Sequence, residues 1–377
     1  VCVPAAAGAT VMVDNTTTVT PLGGATTQTN RAVLTGQETS VVAEGTDGPT
    51  GSTIVGNDGV RTLTQCVKPV SRGVIALPAT ADTQLKIVNP DASEAAIDLT
   101  LYGAEGEIQS LGARGITLAA YEERAIALSV LTKKATPVGV SFQASRGRAA
   151  VMAITQTQSS GTAAGPSQLG TSHLLPGIPA GATSSVVVLA NPGETRITAN
   201  LTAYGTTPAY HPQGGENISV PPHASVSVSL ENALLGEASA IQVNSDAPVM
   251  AGMAFTLGDS AQVAPVSAGT SLGAFTPPGG TLQLTNPGEG DVQATVTATG
   301  ADGTEERTTV TVGTGQTTVH KLPTATEQGQ RVVVSSDQPL FGAVVSSGDT
   351  GSWAAPLESM TKGENPPLAA ELDPGLH

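Results

Sequence analysis

The sequence predicts an all-β fold, a row of tandem immunoglobulin-like β-sandwich modules. Three observations predict it: an internal repeat of about 100 residues, stretches in which apolar and polar residues alternate, and turn-forming residues between those stretches. The chain has 377 residues, with 44 Gly and 26 Pro to form turns. A β-propeller with two four-stranded blades per repeat also fits this pattern. The sandwich is favoured because Pro-rich joints separate whole repeats and not half repeats.

The repeat is anchored on three Asn-Pro pairs. Their Asn residues lie 102 and 95 positions apart (191 − 89 and 286 − 191): Asn89, Asn191 and Asn286. Thirteen positions after each Asn comes a residue followed by Gly, namely Tyr102, Tyr204 and Thr299. No gap is needed between the two features, which argues against chance similarity. We therefore expect the two tyrosines to occupy the same place in their modules, at a strand end and largely buried.

The middle repeat shows how one module is built. Residues 186–189, Val-Val-Val-Leu, indicate a buried strand. The Asn191-Pro-Gly that follows predicts a turn, because Pro presets φ and Gly accepts positive φ. Residues 197–204 and 225–230 alternate apolar and polar, which is typical of strands with one wet face. About six or seven such strands per repeat fit one sandwich.

The joints predict five segments. Residues 1–77 form a disulfide-closed N-terminal β module, residues 78–165, 166–264 and 265–356 form sandwich repeats 1, 2 and 3, and residues 357–377 form an extended or disordered tail. Trp353 lies three residues before Pro356, as Cys66 lies before Pro69, so the N-terminal module is a candidate divergent repeat. The joints carry apolar residues that need burial, and we expect stiff joints and a compact or gently curved rod.

Composition narrows the class of partner. The formal net charge is −15, from 16 basic and 31 acidic residues, so nucleic acid and anionic membrane surfaces are poor partners. No window of 18 apolar residues is present, and nothing in the sequence spans a membrane. The chain begins Val1-Cys2 without an initiator Met, which suggests a processed or trimmed ectodomain.

The only two cysteines, Cys2 and Cys66, bracket the N-terminal module. In an exported protein an even pair most often forms a disulfide. The alternative is two unpaired buried thiols. Neither cysteine has a second Cys or a His at metal-ligand spacing, which argues against a zinc site at these cysteines.

Several motifs together resemble one family: Asn-Pro-Gly, Tyr-Gly, Val-Pro-Pro and Ser-Asp-Ala-Pro-Val in repeat 2, preceded by the Cys2 and Cys66 pair. The chain resembles, over nearly its whole length, a family of actinobacterial secreted proteins of unknown function that are tethered by one N-terminal membrane helix. The resemblance implies an extracytoplasmic location in the cell envelope and an anchor absent from this chain. Members often accompany envelope glycan-assembly genes, which implies an envelope role only by association.

Candidate catalytic residues are few. Gly269-Thr-Ser271-Leu-Gly273 matches the nucleophile pattern Gly-x-Ser-x-Gly. The residues that follow, Ala-Phe-Thr-Pro-Pro-Gly-Gly, cannot form the helix that a nucleophile elbow requires. The five histidines have no second His within ligand reach in sequence, and we expect them in loops, strand ends or the tail: His173, His211, His223, His320 and His377.

The sequence also gives little indication of a metal site or a sugar-binding site. Four aspartates could bind calcium, but calcium needs six to eight converging oxygens and turn chemistry explains each of them: Asp58, Asp246, Asp302 and Asp337. Tyr121, Tyr210 and Trp353 are scattered, so a flat aromatic platform for sugar is not expected. We therefore predict no catalytic, cofactor-binding or metal-binding residues and no cofactor.

These observations favour a non-catalytic extracytoplasmic scaffold or interaction protein of the actinobacterial cell envelope, assisting a membrane enzyme of cell-wall glycan assembly. Its expected partner is a membrane protein, such as a glycosyltransferase, or the envelope glycan, and not nucleic acid. The first alternative is a cell-wall polysaccharide-binding protein. The second is a hydrolase with its site at a module boundary, which would require two carboxylates, or a His and a carboxylate, to converge in a cleft.

Overall fold

The structure is a computed structural model of the chain, and nearly all of its ordered elements are β-strands. It describes residues 1–4, 9–13, 17–25, 27–28, 31–33, 40–44, 52–57, 60–80, 82–132, 137–156, 161–277, 279–300, 303–323, 329–346 and 352–360. The all-β prediction is confirmed. No helix in these ranges is long and apolar enough to cross a membrane.

The N-terminal unit contains two sheets, β4-β1-β6-β7 and β3-β2-β5. Cys2 forms a bridge with Val41 at the start of β5 and so extends the second sheet by one short edge. The strands of the N-terminal unit are β1 (Thr10–Met12), β2 (Thr18–Pro21), β3 (Thr27–Gln28), β4 (Arg31–Val33), β5 (Val41–Glu44), β6 (Ser52–Asn57) and β7 (Val60–Gln65).

Unit 1 also has two sheets, β11-β10-β14-β8 with β12 on β10, and β13-β9-β15-β16. Its elements are β8 (Arg72–Pro78), β9 (Thr83–Val88), β10 (Ala95–Gly103), β11 (Gly106–Ile108), a 3-10 helix (Leu111–Ala113), β12 (Ile116–Leu118), β13 (Glu123–Ala127), α1 (Leu128–Thr132), β14 (Pro137–Arg146), β15 (Ala150–Gln156) and β16 (Gly161–Ala164). β8 pairs with β14 from Arg72 to Pro78, so the pairing of this unit starts before the sequence boundary at residue 78.

Units 2 and 3 repeat the plan with one long strand shared between both sheets. In unit 2 this is β22, whose first half pairs with β19 and β17 and whose second half pairs with β18 and β23. The strands of unit 2 are β17 (Gly170–Ile178), β18 (Ser184–Ala190), β19 (Ile197–Tyr204), β20 (Ile218–Val220), β21 (Ser225–Ser229), β22 (Ser239–Leu257) and β23 (Asp259–Val263).

In unit 3 the shared strand is β29, and the short strand β31 is added on β24. The strands are β24 (Gly269–Thr276), β25 (Thr281–Thr285), β26 (Val292–Gly300), β27 (Glu305–Val312), β28 (Thr317–Lys321), β29 (Gln330–Ser346), β30 (Trp353–Pro356) and β31 (Glu358–Ser359).

All four units follow one order of strands. In each, the first, third and fourth strand segments belong to the sheet of the first half of the long strand, and the second, fifth and last segments belong to the sheet of its second half. In the N-terminal unit the bridge of Cys2 with Val41 counts as the first segment, and β1 is the second. In the N-terminal unit and unit 1 the long strand is interrupted, as β5 and β6 or as β14 and β15. The hypothesis that the N-terminal unit is a divergent repeat therefore agrees with its topology.

Tyr102 and Tyr204 lie at the ends of β10 and β19 and are 7% and 6% exposed. They pair with Gly139 and Ala240, which begin equivalent stretches of the long strand. The sequence prediction for the two tyrosines is confirmed.

The units are packed against one another through the outer faces of their sheets. Tyr102 and Val74 of unit 1 pack on Val188 and Met250 of unit 2. At the next boundary Tyr204 packs on Phe341 of unit 3, with the two rings edge to face and their centroids 6.1 Å apart. These contacts need close approach: a Cβ added to Gly252 of unit 2 would overlap the carbonyl oxygen of Ala76.

The N-terminal unit closes these contacts into a ring. Val1 and Val3 pack on Met152 and Ile154 of unit 1, while Met12 and Leu63 join the core of unit 3. Each unit therefore contacts two neighbours, and the eight sheets stack face to face around a closed circle. The expectation of a rod is wrong, because the first and last units meet. Each unit has two sheets that pack on a common core, as the sandwich prediction requires. The arrangement of the units in a ring, with two sheets per repeat, is also a feature of the alternative, the propeller.

A short polar contact recurs at three of the four boundaries, at the first residue of the fifth strand segment. Ser225 donates to the carbonyl oxygen of Tyr102 (2.5 Å), and Thr317 donates to that of Tyr204 (2.6 Å). At the third boundary Glu123 accepts from the amide and hydroxyl of Ser40 (3.1 and 2.7 Å). These bonds fix the register of one unit on the next.

The Asn of each Asn-Pro pair is a buried hub of hydrogen bonds, and not only a turn residue. Asn191 donates to the carbonyl oxygens of Thr195 (2.7 Å) and Val220 (3.1 Å) and accepts from the amide of Gly193 (2.8 Å). Asn286 makes the same three contacts in unit 3. Each side chain thus joins the turn after the second strand segment to the end of the fourth.

We expect Asn191→Ala to lower the free energy of unfolding by about 2–4 kcal/mol, because the carbonyl oxygen of Val220 loses its donor in a buried setting and that of Thr195 loses its donor in a partly buried one. Chemical denaturation followed by circular dichroism measures this. Gln293→Ala, which removes an exposed side-chain pair with Thr311, is the matched control and should change stability by less than about 0.5 kcal/mol. Equal, small effects of both substitutions would contradict the assigned role of Asn191.

The Cys2–Cys66 disulfide is confirmed, and it joins residues 64 positions apart. Both cysteines are buried and lie in the core of the N-terminal unit with Val11 and Val41. The bond ties the first strand edge of this unit to the end of β7, its last strand.

Replacing both cysteines by Ser should lower stability by about 2–4 kcal/mol, since the closed loop restricts the unfolded chain. Hydrogen exchange should rise first in β2, β5 and β7, which the bond holds together. Ala163→Ser at the equivalent position of unit 1 is the control, because that unit has no disulfide to lose. Unchanged exchange in the N-terminal unit would show that packing alone holds it.

Candidate functional site

A cavity of about 480 Å³ lies where all four units meet. Each unit contributes the segment that follows its last strand or ends it. The lining residues fall in 63–70, 163–168, 262–267 and 354–359, with Met152 of unit 1 added. The joints between repeats therefore line a shared cavity. Pro166, Pro265 and Pro356 occupy equivalent positions in its wall.

The segments are held in place by backbone bonds and by one long-range side chain. Val74 and Ser167 form a bridge in unit 1, and Leu174 and Val266 form the corresponding bridge in unit 2. Gln65 donates to the carbonyl oxygen of Pro356 at 2.5 Å, which joins the first unit to the last across the cavity wall. This wall is thus part of the folded ring and not a set of loose linkers.

Two charged side chains line the cavity among the described residues, Lys68 and Glu358. Lys68 is exposed, whereas Glu358 is half-buried. Burial raises the pKa of the Glu358 carboxyl, and the positive charge of Lys68 opposes that rise. The remaining polar groups are amides and hydroxyls, with Gln65 and Gln168 among them. The cavity can therefore hydrogen-bond a ligand and offers it one cation.

The hydrolase alternative requires catalytic side chains that converge in a cleft. Glycoside hydrolysis uses a pair of carboxylates, and the described lining residues supply one. Ser271 of the Gly-x-Ser-x-Gly match lies within β24, and its carbonyl oxygen accepts from Met360. A strand continues through this serine, so the turn that exposes a nucleophile at an elbow is absent at that position.

Two of the histidines have structural contacts. The Nε2 atom of buried His173 lies 2.8 Å from the carbonyl oxygen of Val249 and 3.0 Å from that of Gly170. The Nδ1 atom of His211 lies 2.8 Å from the carbonyl oxygen of Leu201. His320 lies on the edge strand β28, and His377 is outside the described residues.

One histidine does meet a carboxylate. Nε2 of His223 lies 3.0 Å from Glu194, and its ring stacks on Tyr102 of unit 1 with centroids 6.4 Å apart. Glu194 is almost fully exposed, with a side chain 88% accessible. The pair closes the outer end of the contact between units 1 and 2. Sequence reasoning missed it because the contact with Tyr102 joins residues more than a hundred positions apart.

The aspartates considered for calcium are dispersed. Asp246 accepts from the amide of Thr198 at 2.9 Å, a contact that supports the turn assignment. Asp58 and Asp302 lie outside the described residues. In the part of the chain that the structure describes, no group of three or more His, Cys, Asp or Glu residues could hold a metal ion.

Of the comparisons with curated proteins, solved structures and protein families, the family match is the main result. No curated protein matches the chain. Among solved structures, a tetra-tandem repeat in the extending region of a large adhesion protein is 12% identical, covering 95% of this chain and 93% of that chain. Its TM-score of 0.13 is too low to carry any argument.

A family of unknown function, DUF5719, matches residues 17–323, which include parts of all four units. The resemblance to an uncharacterised family is therefore supported at that level. The chain belongs to the family of unknown function DUF5719.

Proposed function

We propose that this chain is a non-catalytic scaffold or interaction protein of the actinobacterial cell envelope, working outside the cytoplasm with a membrane enzyme of cell-wall glycan assembly. The observation that carries the proposal is the closed ring of four units around one shared cavity. The immunoglobulin-like character of the units belongs to the same proposal and is supported by their two-sheet architecture.

A closed ring suits a scaffold because its binding surfaces are ordered before a partner arrives. Binding then costs little additional ordering of loops and side chains. The boundaries of units 1, 2 and 3 are held by apolar packing and by the contacts of Ser225 and Thr317. The disulfide supports the extracytoplasmic part of the proposal, since such bonds persist in oxidising compartments.

The cavity is the proposed contact for a partner segment. Lys68 is exposed at it, while the Glu358 carboxyl is held in a setting that raises its pKa. A segment that brings an acidic group and apolar side chains would match Lys68 and the proline-lined wall. The net charge of −15 makes such a local cation a distinct point of attraction on an acidic protein.

Binding of cell-wall polysaccharide is the second candidate function. The observation in its favour is an open row of hydroxyl, amide and charged side chains on β10 and β14. The hydrolase alternative has no comparable support, because the cavity offers one carboxylate among its described lining residues.

Site-specific photo-crosslinking in envelope membranes tests the scaffold proposal. A crosslinking residue in place of Gln168 or Ser359, both at the cavity, should give one discrete adduct with a membrane protein. Thr309, exposed on the edge strand β27, is the control position and should give none. Equal labelling from all three positions, or no adduct from either cavity position, would contradict the proposal.

A further inference from the structure

The outer face of unit 1 carries a groove of about 260 Å³, separate from the shared cavity. Its floor is the polar side of β10 and β14, where Asp98 faces Gln143 and Thr100 faces Ser141 across the two strands. The alternation of β10 explains this: Ile97, Leu99 and Leu101 are in the core, so the residues between them point outward.

One wall of the groove is formed by Arg114, whose side chain is 59% exposed. The backbone next to it is fixed, because the amide of Gly115 donates to the Asp98 carboxylate at 2.7 Å. Glu107 lies 3.8 Å from the guanidinium on the other side. Arg114 is therefore positioned beside the groove by two acidic residues, with donors left to bind a ligand.

The equivalent faces of units 2 and 3 carry larger side chains at this place. In unit 1 the Ser141 hydroxyl is hydrogen-bonded to Tyr102. In unit 2, Gln242 takes the place of Ser141, accepts from Tyr204 at 2.5 Å and also donates to Ser172 at 3.2 Å. In unit 3, Val333 takes that place opposite Thr297. The small Ser141 leaves space in unit 1 that the longer side chains fill elsewhere.

We propose that this groove of unit 1 binds one residue of a hydroxyl-rich glycan chain, with Arg114, Gln143, Thr100 and Ser141 as its contacts. The proposal rests on the second candidate function and deepens it. Hydroxyl and amide groups both donate and accept, as sugar hydroxyls do. The guanidinium fork can donate to two neighbouring hydroxyls. Asp98 beside it balances the charge, which selects against phosphate and other anions.

The volume of the groove limits how many sugar residues it can hold. It is smaller than the roughly 300–1,000 Å³ of pockets for drug-sized molecules, so it accepts one sugar residue of a chain that continues outside. None of its described lining residues is aromatic, so the proposed contacts are hydrogen bonds and not stacking. We expect a dissociation constant on the order of 1 mM for a short oligosaccharide.

Isothermal titration calorimetry of the disulfide-intact chain with soluble mannan and arabinogalactan fragments tests the site. Arg114→Ala should weaken binding at least about tenfold, the loss expected for about 1.4 kcal/mol. Ser141→Gln should weaken it as much, by filling the groove as Gln242 does in unit 2. Asn244→Ala, at the position of unit 2 equivalent to Gln143, is the control and should leave binding unchanged. Melting temperatures show that each variant is folded.

The possible results distinguish a failure of the proposed groove from a failure of polysaccharide binding as a function. Binding by the wild type that Arg114→Ala and Ser141→Gln each weaken at least about tenfold supports the groove. A smaller loss in either variant overturns the groove while the polysaccharide candidate stands. No binding of either glycan by the wild type overturns both, and the scaffold proposal is then judged by its crosslinks alone.

Discussion

The structure depends on the burial of both faces of the sheets near the ring axis. Strand β18 shows the constraint: its last four residues, Val187 to Ala190, are all fully buried. Val187 and Leu189 belong to the core of unit 2, whereas Val188 and Ala190 belong to the contact with unit 1. An alternating strand would leave one of these faces wet. A continuous apolar run is therefore the local requirement of a closed ring.

Close stacking also requires small residues at particular points of contact between units. Larger residues pack at other points, among them Tyr102, Met250 and Phe341. Gly139 lies against Ala190 and Gly252 against Ala76, with no space for a larger side chain. Packed sheets stand about 10 Å apart, and a glycine at these two points lets the backbones of neighbouring units approach more closely.

The fold was predictable where its causes are local or repeated. The strands, the Asn-Pro turns, the paired tyrosines and the disulfide all follow from residue patterns within one repeat. Ring closure was not, because contacts such as Gln65 with Pro356 join residues 291 positions apart and have no periodicity to read. The buried role of Asn191 was missed for a related reason. Asn-Pro-Gly is a sufficient turn signal, whereas the carbonyl oxygen of Val220, which the side chain also binds, lies on another strand.

The candidate sites lie where the repeats stop being equivalent. Packing holds the four units to one plan, so residues in the cores and contacts are constrained by their neighbours. Around the cavity, Lys68 stands where the other units have Gly165, Ala264 and Ala355. On the outer faces, the place of Ser141 in unit 1 is taken by Gln242 in unit 2 and by Val333 in unit 3. Neither substitution changes the backbone plan, and both change what the surface can bind. The motifs shared by the repeats therefore predicted the common fold, whereas the candidate sites depend on residues that differ between the repeats.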